Sequence, residues 1–153
     1  APRLELARAF GADHTINIEE TTDPAARLHQ VMLLTNGHGA DAVIECVGSP
    51  MVVPEGFEMC RDGGKYLVLG HYGDAGATPI NPHVITRKQL TVYGSWASEP
   101  RHMAMAIEFL RKQGGRFPFA QLISHRFPLD RAFEALQTTA QWASSKSVIV
   151  PEL

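Results

Sequence analysis

Residues 41–50 (DAVIECVGSP) and 63–73 (GGKYLVLGHYG) decide the fold. Each is a short apolar run closing on glycine, with a helix-like stretch between them. A parallel strand buried on both faces must be apolar along its whole length. Glycine at its end lets the backbone turn sharply and lets a ligand come close. Parallel strands whose carboxyl ends open on a ligand crevice have this order of strand, glycine, helix, strand and glycine.

The alternation extends in both directions. Residues 3–10 read as a helix with Pro2 in its first turn and Gly11 as its stop. His14–Ile18 reads as a short strand, and Asp23 with Pro24 caps a helix running to about Thr35. The Gly37-His38-Gly39 turn leads into the strand Asp41–Cys46, followed by a helix over about 51–60 and the strand Tyr66–Leu69. A loop rich in glycine and proline precedes the strand Gln89–Tyr93. Beyond Trp96 the pattern changes to an amphipathic helix over 100–113 carrying Met103, Ala106, Ile107 and Leu110. A strand-like stretch at 122–127, a helix over 129–140 and a final strand Ser147–Val150 follow. The expected fold is α/β, a partial doubly wound parallel sheet over 1–96 with an α+β return segment over 97–153.

Composition excludes several classes. Hydrophobic residues at 44% and charged residues at 20% describe a chain that can bury a core. A net charge of −2 argues against nucleic acid, which needs a basic face. No apolar run approaches the roughly 18 residues of a membrane span. Two cysteines form no disulfide framework, so a cytoplasmic location is expected. Cys46, inside an apolar strand, reads as a small core residue. The seven histidines show no HxH or HxxxH spacing and no CxxC occurs, so no metal site is expected. Gly37-x-Gly39-x-x-Ala42 lies between a helix and a strand, the reverse of a phosphate-binding glycine loop, and reads as a helix stop. His71 and His83 flank the expected crevice, either as ligand contacts or as solvated loop histidines.

Taken in order, RLELARAFGADHTIN, GADAVIECVGSP, GGKYLVLGHYG, LTVYGSW and LISHRFPLDRAFEAL resemble the C-terminal part of the medium-chain dehydrogenases/reductases, the zinc-containing alcohol dehydrogenase superfamily. The resemblance covers nearly the whole chain and implies the third to sixth strands of a Rossmann domain plus the return into the catalytic domain. It implies NAD or NADP as cofactor and hydride transfer to or from a small alcohol or carbonyl substrate. By position it implies that Arg3 lies near the adenosine ribose. Val47, Gly48 and Ser49 match the turn on the ribose and adenine side. Leu69, Gly70 and His71, with Ser95, Trp96 and Ala97, match strand ends that meet the nicotinamide amide. Lys146 matches a basic position that reaches the pyrophosphate. Arg3 and Lys146 also read as solvated surface charges, and Trp96 as a core or substrate-pocket residue.

The family's glycine fingerprint, its residue choosing NAD or NADP, its zinc ligands and its proton relay belong upstream of Ala1, so zinc is expected only in an N-terminal domain outside this sequence. The chain opens inside a helix pattern, and truncation is expected. Without the first two strands, the expected 3-2-1-4-5-6 order leaves the third unpaired and the fourth with an apolar edge. An isolated chain is therefore expected to be inactive and to associate, as a homo-oligomer or through its sheet edges. The competing expectation is a non-catalytic partial Rossmann module that binds cofactor or assembles through its open edge.

Overall fold

The computed structural model describes residues 2–151. In chain order its main elements are helices α1 (Pro2–Ala9) and α2 (Pro24–Leu34), strand β1 (Ala40–Glu45), helix α3 (Val52–Met59), strand β2 (Cys60–Val68), helix α4 (His83–Arg87) and strand β3 (Thr91–Gly94). Helix α5 (Pro100–Gln113), strand β4 (His125–Phe127), helix α6 (Ala132–Ala140) and strand β5 (Ser147–Ile149) complete it. Two compact units form, Ile18–Ser98 and the described residues on either side of it.

In the unit Ile18–Ser98, β1, β2 and β3 make a parallel sheet in that order. Val43, Ile44 and Glu45 sit opposite Tyr66, Leu67 and Val68, and Tyr66 opposite Val92. β2 starts earlier than the sequence predicts. Cys60 already pairs with Ala40, the chain bulges through 61–64, and pairing resumes at Lys65 opposite Ala42. The apolar runs face α3 and α4: Val53, Phe57, Cys60, Tyr66 and Val84 form the core, backed by Val43, Val68, Ile85 and Leu90. Phe57 and Tyr66 pack with ring centroids 4.5 Å apart. Gly56 makes room for them, because a Cβ there would lie 2.5 Å from the Tyr66 ring. Burial, then the negative charges of Glu45 and Cys60, push the Tyr66 phenol up to about 12, so it stays neutral.

Helix α2 starts as its sequence dictates, with the Asp23 carboxylate accepting from the Ala25 N–H at 3.0 Å. It is tied to α3 by a bidentate pair, Arg27 Nε and Nη2 donating to Glu55 Oε1 and Oε2, both at 2.7 Å. Both side chains are largely buried, and Arg27 also donates to the Thr21 and Thr22 carbonyls.

The other unit joins β4 and β5 as a parallel pair through α6. Phe10, at the end of α1, meets Phe117 and Phe119, and Phe109 of α5 meets Phe119. Phe127 and Ala135 are buried there.

Three expectations are corrected. His14–Ile18 forms no strand, since an apolar pattern makes a strand only where a partner offers its ladder. The segment 122–127 is strand only over β4, because a 3-10 turn occupies Phe119–Leu122. The loop before β3 holds the short helix α4, which the neighbouring prolines and glycines obscured. No helix among the described residues is long and apolar enough to cross a membrane.

Candidate functional site: the carboxyl ends of the parallel strands

All three strands of the larger sheet run the same way, so the residues after Glu45, Val68 and Gly94 come out side by side. The first two exits touch through their backbones. A Cβ on Gly48 would lie 2.4 Å from the Gly70 carbonyl oxygen, and one on Gly70 would lie 2.4 Å from the Gly48 nitrogen. Gly48 also takes a left-handed φ of 75°, which disfavours any side chain. The third exit is tied to the second by the Ser95 N–H donating to the Val68 carbonyl at 3.1 Å.

The residue that organises this end is Glu45, a side chain that the pattern of the run does not single out. It is the last residue of β1 and its side chain is only 2% exposed. Oε1 accepts from the Val47 N–H at 2.6 Å and the Gly48 N–H at 2.7 Å. Oε2 accepts from the Gly70 N–H at 3.1 Å, and the Glu45 carbonyl accepts from the Leu69 and Gly70 N–H groups. His71 Nε2 lies 3.7 Å from Oε2, buried and without a hydrogen-bond partner among the described residues. The one available signal is chemical: Glu45, an acid between Ile44 and Cys46 in DAVIECVG, must be paired or solvated when the run is buried.

Burial alone pushes the Glu45 carboxyl up. The N–H groups of Gly48, Val47 and Gly70 together with His71 outweigh it, so the group is held below the usual carboxylate range. A depressed folded pKa contributes stability above the unfolded value, near 4.5, and that contribution is lost as pH falls through the lower folded value. Denaturant midpoints should therefore drop on acidification across this window. Glu45→Gln should start lower at neutral pH and converge on wild type in acid. Parallel decline of the two proteins would contradict this assignment.

Around these turns the side chains are apolar and open: Val47 is 60% exposed, Leu69 38% and Trp96 75%. Trp96 Nε1 donates to the Tyr72 carbonyl at 3.2 Å, and the two rings lie 6.0 Å apart. Ser49 accepts the Val52 N–H through its carbonyl at 3.2 Å, at the entry to α3, and Ala97 has a φ of 63°. Cys46 is exposed, because β1 ends one residue earlier and it is Glu45 that points inward.

Two predicted residues belong to the other unit. Arg3 Nη2 donates to the Ser144 carbonyl at 2.6 Å, and its guanidinium stacks 4.9 Å from the Trp142 ring centre. Lys146 is exposed, and its carbonyl accepts from the Ser124 and His125 N–H groups. A cleft of about 580 Å³ opens at the opposite end of the larger sheet, near Cys60 and Lys88. Among its charged groups, Arg61 pairs with Asp41 at 2.5 Å, Arg87 with Glu58 at 3.7 Å and Lys88 with Glu58 at 3.5 Å. Among the described residues no group of three His, Cys, Asp or Glu side chains is placed to hold a metal.

Residues 1–112 match the zinc-binding dehydrogenase family, and the chain belongs to it. It is 35% identical to 5-exo-hydroxycamphor dehydrogenase of Pseudomonas putida over 96% of its own length and 40% of that protein's. It is 32% identical to erythritol/L-threitol dehydrogenase of Mycolicibacterium smegmatis over 95% of itself and 38% of that protein. Among solved structures, an alcohol dehydrogenase of Thermotoga maritima superposes with a TM-score of 0.88 at 32% identity, covering 99% of this chain and 41% of that one. The benzyl alcohol dehydrogenase of Acinetobacter calcoaceticus gives 0.79 at 26% identity, covering 97% and 40%. The chain thus spans about two-fifths of these relatives' length.

Proposed function

We propose that this member of the zinc-binding dehydrogenase family is the nicotinamide side of the cofactor crevice of an alcohol or polyol dehydrogenase. The observation that carries this reading is the set of three adjacent parallel strand ends, two of them glycine turns in backbone contact, under an open apolar rim. Such a floor lets a flat ring lie against backbone while its polar edge meets N–H and C=O groups. The turn Val47–Gly48–Ser49 takes the ribose and adenine side. Leu69–Gly70–His71 and Ser95–Trp96–Ala97 present backbone to the nicotinamide amide, with Trp96 shielding it from water. Lys146 and Arg3 belong to the other unit, where Lys146 is exposed and Arg3 is engaged by the Ser144 carbonyl and the Trp142 ring.

A bound NAD or NADP would supply hydride exchange with an alcohol or carbonyl carbon, and these strand ends would hold its nicotinamide end. The substrate is a small alcohol or carbonyl compound, and any zinc chemistry draws its ligands from outside these residues. Exposed apolar side chains such as Ile44 and Tyr93 on the sheet favour association with further protein, in a homo-oligomer or across the sheet edges. Two free cysteines suit a reducing, cytoplasmic setting.

Hydrogen exchange of the chain, with and without NADH or NADPH, tests the reading. Weak binding, about millimolar, should slow exchange at 47–49, 69–71 and 95–97. No slowing at these turns would sink it. Binding about a thousandfold tighter would favour a self-sufficient cofactor-binding module instead.

A further inference from the structure

We propose that Glu45 is the positioning residue of the crevice: one ionised carboxylate sets the conformation of both glycine turns at once. The claim that these turns receive a cofactor rests on the function proposed above; the clasp itself rests on geometry alone. Each oxygen serves a different turn. Oε1 takes two N–H donors from the β1 exit, Val47 and Gly48, and Oε2 takes the Gly70 N–H from the β2 exit. The two turns are in backbone contact at Gly48 and Gly70, and the Glu45 main-chain carbonyl also takes the Leu69 and Gly70 N–H groups, so one residue joins both exits.

The three groups hydrogen-bonded to the carboxylate are all N–H donors, and His71 Nε2 lies 3.7 Å from Oε2. An acceptor-only group is therefore needed, and a carboxylate supplies two acceptor oxygens with no proton to misplace. Protonation, or replacement by an amide, would turn one oxygen into a donor facing another donor.

That asymmetry gives a discriminating test by hydrogen-exchange mass spectrometry on the full chain, with the β2 core segment around Tyr66 as internal reference. Glu45→Ala removes both side-chain acceptors and should speed exchange in the 46–49 segment about tenfold relative to the reference, and in the 69–71 segment by less, because the Glu45 main-chain carbonyl still takes the Leu69 and Gly70 N–H groups. Glu45→Gln keeps one oxygen, which the paired Val47 and Gly48 donors claim. Its NH2 then faces Gly70, so only the 69–71 segment should loosen. Equal acceleration of turns and reference in both variants, or no change in either, would overturn the proposal.

If Glu45→Ala does not fold, the wild-type chain still decides. The ratio of turn to reference exchange cancels the pH dependence of the exchange chemistry, and it should rise as pH falls through the Glu45 titration. A flat ratio overturns the clasp. A titration with NADH in the same samples reads the cofactor assignment separately. Absence of cofactor protection with an intact Glu45 effect would reject the cofactor site and leave the clasp standing.

Discussion

Alanine at Gly48 or at Gly70 should each remove about 3 kcal/mol or more of stability, among the largest single-methyl effects in the chain. At Gly48 two costs add. The new Cβ would sit 2.4 Å from the Gly70 carbonyl oxygen, and the residue would have to hold a φ of 75°, which disfavours an L side chain by about 1 kcal/mol. Gly70 has no such backbone strain, but its Cβ would meet the Gly48 nitrogen at 2.4 Å, the Cys46 carbonyl carbon at 2.7 Å and Glu45 Oε1 at 2.7 Å. Two of these three are backbone, which cannot rotate away as a flexible side chain can. The control is Gly73, where an added Cβ meets nothing within 4 Å; Gly73→Ala should fall within about 0.5 kcal/mol of wild type. Denaturant titrations at one protein concentration compare all three. A Gly48→Ala or Gly70→Ala protein as stable as Gly73→Ala would mean that the two turns are not in contact.

The same pair shows what the sequence could and could not convey. Glycine after each apolar run was legible, because a strand buried on both faces has a distinctive composition and must turn sharply at its end. That Gly48 touches Gly70 was not, since it depends on the register that sets Glu45 opposite Val68. Glu45 was visible only as an acid among apolar neighbours. Its three N–H partners come from two separate exits, and no local rule brings those together. His14–Ile18 is the converse case. Its pattern is that of a strand, yet it forms none, because a strand needs the ladder of a neighbouring strand. Local chemistry set where turns and helices begin, as at Asp23 and Gly37. Long-range pairing decided which segments became strands and which polar groups were left to be buried.

Lys88→Met should cost about 3 kcal/mol while leaving the strand-end crevice intact wherever the protein is folded. Lys88 lies in the RKQL stretch before β3, where a lysine ordinarily faces water, yet its side chain is only 7% exposed. Its ammonium donates to the carbonyls of Glu58 at 2.6 Å, Cys60 at 2.8 Å and Phe57 at 3.3 Å, and Glu58 Oε2 lies 3.5 Å away. The Glu58 and Cys60 carbonyls lie where α3 gives way to β2, the Phe57 carbonyl there also accepts the Cys60 N–H, and a cation at this place meets the negative end of the helix dipole. The Lys88 carbonyl in turn accepts the Gly63 N–H at 2.6 Å, so one residue fastens α4, the end of α3 and the 61–64 bulge. Methionine keeps most of the length and apolar stem but supplies no donor, leaving three carbonyls at a buried helix end without it. Arginine should recover only part of the loss, because its planar fork cannot point three donors at carbonyls gathered around one atom. Lys88 works at the amino end of β2, whereas Glu45 works at the carboxyl end of β1, so the two substitutions should separate. Lys88→Met should lower the denaturation midpoint and leave the ratio of turn to core exchange near wild type, whereas Glu45→Ala should raise that ratio. A Lys88→Met protein that keeps its midpoint would show that the carbonyls at the end of α3 are satisfied without the ammonium.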